Sequence, residues 1–217
     1  MERITDAFVW PFRDPQWPSK IAILALILLI PIVGAINGLG WMLAALERLR
    51  AGDEKLPPAN FDYLGRGFAL FVVNLVYVLV LLVIGGALYG VSVLLLASQG
   101  QHSANPLIVA LGLVLLLLAF GLVSLGSLAF TFLTPAIVLA VAHGGIVGGL
   151  RIDEVVQTAV RSPLNTLIAG LMLIAAGFIE GLGIWVCCIG ILFTTAYALA
   201  MQAWIVRSFE MGSSPTT

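Results

Sequence analysis

The sequence predicts an all-α fold: a polytopic transmembrane helical bundle of about four full spans, with an N-terminal broken or re-entrant hydrophobic segment and interfacial helices. Three observations predict it. Of the 217 residues, 61% are hydrophobic and 10% charged, whereas a soluble domain carries about 45–50% apolar and about 25% charged residues. Between Gly67 and Leu150 there is no Asp, Glu, Lys or Arg, enough chain for several crossings at about 20 residues each. The charges that do occur sit at the ends of apolar runs. Residues 1–217 are therefore expected to form a single integral membrane domain with no room for a separate catalytic one.

Residues 1–20 mix Trp10, Phe12 and Trp17 with Arg3, Asp6, Arg13, Asp14 and Lys20, a composition suited to a segment at the headgroup level. Pro11, Pro15 and Pro18 argue against one long helix there. The apolar run that follows is too long for a signal-peptide core and lacks a small-residue cleavage site, so it reads as retained. That run, 21–46, is interrupted by Pro31, Gly34, Asn37, Gly38 and Gly40, an unusual density of helix-weakening residues. A charged loop from Glu47 to Arg66 comes next.

Spans are expected at 67–97, loosened or tilted at Gly85-Gly86, and at 107–130, separated by the polar cluster Ser98 to Pro106. Thr134-Pro135 and the glycine-rich Gly144 to Gly149 suggest a further break. Residues 151–161 read as a short amphipathic surface helix with Asp153 and Glu154 in its first turn. Two last spans, 164–186 and 189–206, precede a polar tail at 207–217.

Short cytoplasmic loops are enriched in Lys and Arg. Both flanks of 21–46 are positive: Arg13 and Lys20 before it, Arg48, Arg50 and Lys55 after it. A segment that turns back near Pro31 to Gly40 puts both flanks, and both termini, in the cytoplasm. A conventional crossing is the alternative. A faint echo relates Ile30-Pro31-Ile32-Val33 to Thr134-Pro135-Ala136-Ile137-Val138, each followed by glycines and an arginine, as parallel repeats would be.

Few residues carry chemistry. Glu180 is an acid within an apolar context and a candidate ion or proton site, although water at a nearby turn would serve it equally. His143 is a weak candidate for cofactor ligation, with helix-to-helix hydrogen bonding the ordinary use of such a residue and of Asn37, Asn74 and Gln202. Cys187 and Cys188 are adjacent and apolar in setting, and no metal-ligand spacing occurs. The pairs Gly86/Gly90, Gly144/Gly148 and Gly177/Gly181 have small-xxx-small spacing, which serves packing inside the chain or docking onto a partner's spans. Pro31, Gly34, Gly38 and Pro135 are the expected helix breaks.

Trp10-Pro11-Phe12-Arg13-Asp14-Pro15-Gln16-Trp17, then Ile30 to Gly34, Gly40-Trp41 and the charged run Arg48 to Leu56-Pro57 resemble the bacterial and archaeal membrane family catalogued as domain of unknown function 4013. The resemblance implies a prokaryotic inner-membrane protein and supplies no activity or catalytic residues. Within it, Trp10, Phe12, Arg13 and Trp17 read as an interfacial anchor or a partner-docking site.

A net charge of −1 provides no basic field for nucleic acid. Phosphate-loop and zinc-protease motifs are absent, and no cofactor is expected. The expected function is that of a non-enzymatic structural or accessory subunit, embedded in the bilayer and bound to other membrane-protein subunits or to itself. The alternative is a small transporter or lipid-handling protein.

Overall fold

In the computed structural model, residues 5–99 and 105–213 are described, and no strand occurs among them. Helices α1 (Asp6–Val9), α2 (Trp17–Leu28) and α3 (Val33–Arg50) form the N-terminal part, with a 3-10 turn at Trp10–Arg13. Then come α4 (Leu64–Ala97), α5 (Pro106–Leu150), α6 (Ile152–Arg161), α7 (Pro163–Leu182) and α8 (Cys187–Ser213), with a 3-10 turn at Gly183–Val186. The chain divides into two compact units, Met1–Val73 with Thr131–Thr217, and Asn74–Phe130.

In the first unit α8 packs on α7, α3 and α2. Trp41, Met42 and Leu46 of α3, Leu24 of α2, Ile137 of α5 and Met201 and Ile205 of α8 are fully buried in its core. Burial of such side chains contributes about 1.5–3 kcal/mol each relative to water. Helices α7 and α8 run antiparallel. Thr194 Oγ1 donates to Glu180 O at 2.9 Å near one end, and Asn165 Nδ2 donates to Gly212 O near the other.

The first apolar segment turns back. Pro31 lies in the turn between α2 and α3, and Ile32 adopts φ 63°, ψ −61°, with Val33 N–H donating to Pro31 O at 2.6 Å. This is a γ-turn of the strained, positive-φ kind. The two arms then run side by side, and a methyl group on Gly34 would strike the Ile27 carbonyl. Lys20 Nζ at the start of α2 and Arg48 Nη1 near the end of α3 both donate to Leu56 O, at 2.6 and 3.4 Å. Both flanks of the segment therefore end at one place.

Several expected boundaries are corrected. Gly34 and Gly38 do not break a helix but lie inside α3, where they admit close neighbours. Pro135 lies inside α5, while the break expected at Gly144 to Gly149 does occur, as a kink at Gly145 (φ 60°, ψ −148°). Proline removes one backbone bond, but the buried Ala136, Ile137 and Val138 hold the helix by packing. Residues 107–130 are thus part of a longer helix, and the suggested repeat fails, since Pro31 sits in a turn and Pro135 in a helix. No loosening occurs at Gly85-Gly86.

The tail from 207 is helical to Ser213 because Glu210 is held by Arg50 and Arg207. Residues 1–4, 100–104 and 214–217, including His102, most of the polar cluster and the last part of the tail, lie outside the described residues. Among the described residues, three helical stretches are long and apolar enough to cross a membrane: Leu64–Ala97, Pro106–Leu150 and Pro163–Trp185. Among the described residues α8 is not one of them; its second half carries Gln202, Arg207 and Glu210.

Candidate functional site

The densest polar chemistry lies where the N-terminal motif, the 51–63 loop and α8 meet in the first unit. Asp14 is only 2% exposed, where a lone carboxylate would cost several kcal/mol. Its oxygens are accordingly saturated: Gln16 N–H donates at 2.9 Å, Lys20 Nζ at 2.7 Å and Leu56 N–H at 3.0 Å. Burial raises its pKa, but the Lys20 ammonium and the two backbone N–H groups outweigh burial and hold the carboxyl below its ordinary value.

The loop carbonyls are bonded in succession. Leu56 O accepts from Lys20 and Arg48. Trp41 Nε1 donates to Pro57 O at 3.2 Å, Tyr63 Oη to Pro58 O at 3.0 Å and Asn37 Nδ2 to Asn60 O at 2.8 Å. Pro57 and Pro58 cannot donate, so side chains of α3 and the loop end take up the carbonyls instead. A loop without regular structure is thereby fixed along α3.

Trp10 of the motif turns inward, whereas Phe12 and Arg13 are exposed. Trp10 is fully buried, donates from Nε1 to Ala200 O at 3.2 Å and stacks on Trp204 at 6.0 Å. Phe12 meets Trp17 edge-on at 4.8 Å and Tyr197 at 5.6 Å. Arg13 pairs with Glu54 at 2.7 Å and Asp6 at 3.1 Å, and its guanidinium lies 5.8 Å from the Trp204 ring centre. Trp10 and Arg13 thus form an intramolecular clamp between the N-terminal motif, the 51–63 loop and α8. Of the four, Phe12 is well exposed, at 47%.

The remaining candidates are dispersed. Glu180 is half-buried and accepts from Thr195 Oγ1 at 2.8 Å. His143 is exposed, with Nδ1 2.7 Å from Leu139 O of its own helix. No group of three or more His, Cys, Asp or Glu capable of holding a metal occurs among the described residues. Asn37 bonds a loop carbonyl rather than another helix.

The glycines separate into two classes. A methyl group on Gly40 would strike the Tyr63 carbonyl, and one on Gly67 the Ile36 carbonyl, so these two glycines let α4 start against α3. On Gly86, Gly90, Gly144, Gly177 or Gly181 a methyl would meet nothing within 4 Å, and only Gly148 of the expected set is crowded, by Ala140 O. Among the described residues, therefore, no close contact covers the spaced pairs at 86/90 and 177/181. Asp14, Lys20, Trp41 and the Arg50–Glu210 pair were not singled out in the sequence, although the charges of Asp14 and Lys20 beside an apolar run were a usable signal.

No curated protein and no solved structure matches the chain. A family model does match, over residues 23–189, which include Ile30 to Gly34, Gly40-Trp41 and Arg48 to Pro57 but not the Trp10 to Trp17 motif. The chain belongs to the family described as Protein of unknown function (DUF4013).

Proposed function

We propose that this protein is a non-enzymatic integral membrane subunit that associates, through open glycine faces, with helices of other membrane-protein subunits or of further copies of itself. One observation carries this reading. Gly86 and Gly90 on α4, and Gly177 and Gly181 on α7, have the spacing that lets helix backbones approach, yet among the described residues nothing lies within 4 Å of a methyl group built on them. The polar groups at the N-terminal clamp are occupied in bonds that hold the loop, which supports a structural rather than a catalytic use of them.

The membrane placement follows the charges. Arg13 to Glu54, Lys20 to Asp14 and Arg50 to Glu210 tie the N-terminal segment, the loop and the end of α8 together. The positive-inside rule puts that end in the cytoplasm of a prokaryotic inner membrane, with both termini inside. Helix α2, at 12 residues, extends about 18 Å against a hydrocarbon core of about 30 Å. The α2–α3 hairpin thus enters one leaflet and returns, and α8 makes a fourth crossing antiparallel to α7.

The protein, tagged at its C-terminus and extracted in mild detergent, is expected at native size in a stoichiometric complex, with other membrane subunits or as a homo-oligomer. Gly86→Leu with Gly90→Leu, or Gly177→Leu with Gly181→Leu, is expected to release it as a folded monomer. A lone wild-type monomer would overturn the subunit reading. A small transporter is the second reading, favoured by the Glu180–Thr195 hydrogen bond between apolar helices; solute flux in proteoliposomes that disappears in Glu180→Gln would establish it.

A further inference from the structure

Leu43, Leu46, Glu47 and Arg50 of α3, Gly65, Arg66 and Ala69 of α4, and Val141 and Ala142 of α5 line a cleft of about 250 Å³. From this cleft we infer a binding site for the phosphodiester headgroup of an anionic membrane lipid, with Arg50 and Arg66 as the phosphate-facing groups.

Charge complementarity comes first. The lining residues carry two guanidiniums and one carboxylate; with Glu210, which Arg50 and Arg207 share, the cluster of three arginines and two glutamates keeps a net of one positive charge, and a phosphodiester carries one negative charge. Arg66 pairs with Glu47, and Arg50 meets Glu210 through Nε and Nη2, each at 2.9 Å, which fixes the Arg50 guanidinium plane. Each guanidinium has five N–H donors, more than a single carboxylate accepts, so each can bond a phosphate oxygen while keeping its present partner. Helix α4 begins at the cleft, and its amino-terminal N–H groups and dipole favour an anion there.

Position and size point to a lipid. Arg66 is the last charged residue before the charge-free stretch from Gly67 to Leu150, so it stands at the polar boundary of an apolar helix. Leu43, Leu46, Ala69 and Val141 supply an apolar wall beside the charges, as an amphiphile requires. The volume is below the about 300–1,000 Å³ of a pocket that encloses a drug-sized ligand, which suits a headgroup whose acyl chains remain outside. Gly65 forms part of the rim, and a methyl group there would meet nothing within 4 Å. A larger side chain at 65 therefore finds open space at the rim and does not displace the fold.

Native mass spectrometry of the full chain in detergent, titrated with phosphatidylglycerol, tests the site. The wild type is expected to retain the lipid, and Gly65→Leu and Arg66→Gln to lose at least about tenfold in affinity, the worth of one charged hydrogen bond, with unchanged thermal melting. Gly65→Leu keeps the Arg66–Glu47 pair, so its result stands even if Arg66→Gln fails to fold. Equal lipid retention by Gly65→Leu would overturn the assignment. Glycerol 3-phosphate is expected not to displace the lipid; displacement at comparable concentration would assign the cleft to a free phosphate ester instead. Phosphatidylcholine bound as tightly would remove the headgroup specificity. Oligomeric state is unaffected in every arm, so failure here is distinguishable from failure of the subunit reading.

Discussion

The α2–α3 hairpin and the paired parts of α4 and α5 within residues 74–130 are both apolar and glycine-bearing, but they are held by opposite means. In the first, polar side chains take the carbonyls of Leu56, Pro57 and Asn60, and Asp14 binds Lys20 and Leu56 N–H. In the second, side chains fill against glycine: Val123 against Gly85, Leu81 against Gly126, and Tyr89 edge-on to Phe120 at 6.5 Å. One polar contact there is Ser92 Oγ donating to Gly112 O at 2.7 Å. The difference teaches where sequence identity matters. A polar staple depends on single groups, whereas dispersion packing is spread over many contacts of about 0.1–0.2 kcal/mol each.

The comparison is broken most severely at Asp14. Asp14→Ala leaves the Gln16 and Leu56 N–H groups without their acceptor and Lys20 without its counter-charge, bonded to Leu56 O alone, and a loss of about 3–5 kcal/mol is expected for a buried pair cut on one side. Thermal melting in detergent, with limited proteolysis of the 51–63 loop, reads it; an intact, protease-resistant loop would show that the staple does not hold the hairpin. The same group sets a pH dependence. Because the folded-state pKa of Asp14 lies below the ordinary 3.8, its stabilisation is complete above that value and is lost as pH falls through the depressed one. Loop protection is therefore expected to drop below about pH 4 in the wild type, and Asp14→Asn is expected to flatten that part of the profile.

Next in size is Gly40→Ala, which forces a methyl group against the Tyr63 carbonyl and is expected to cost about 1–3 kcal/mol as overpacking. A melting temperature unchanged from wild type would mean that α3 and α4 separate freely. Ile32→Gly acts in the other direction. It removes strain of about 1–3 kcal/mol at a positive φ and adds about 0.5–1 kcal/mol of chain entropy, so a net gain of about 1 kcal/mol is expected in the same melt. Gly86→Ala has the smallest effect on the isolated chain, a gain of about 0.5–1 kcal/mol from helix propensity alone. A loss at Gly86 in the monomer would reveal an internal contact over that glycine.

Much of the architecture was legible as pattern. The charge-free stretch after Arg66 announced α4 and α5, the apolar run 164–186 announced α7, and positive flanks on both sides of 21–46 anticipated the hairpin. The errors arose where local rules compete with packing. Pro135 and Gly34 look like breaks by propensity, but buried neighbours and a close backbone approach decide otherwise. At the candidate site, Trp10 and Arg13 have the composition of an interfacial anchor, and nothing local discloses that Trp204 and Glu54 are waiting for them. The spaced glycines were visible, but not which of them face empty space.

By itself the sequence determined that this is an all-helical protein with helices apolar enough to span a bilayer, because apolar content, charge spacing and segment length are properties of the chain. It also determined the family, whose match rests on residues 23–189. Only the tertiary structure decided which polar groups are saturated, which glycines are crowded and that the flanks of the first segment meet at Leu56 O. The physical reason is that hydrogen bonds and steric contacts between residues far apart in the chain, such as Trp10 with Ala200 or Arg50 with Glu210, depend on the packing of whole helices, which no local pattern encodes.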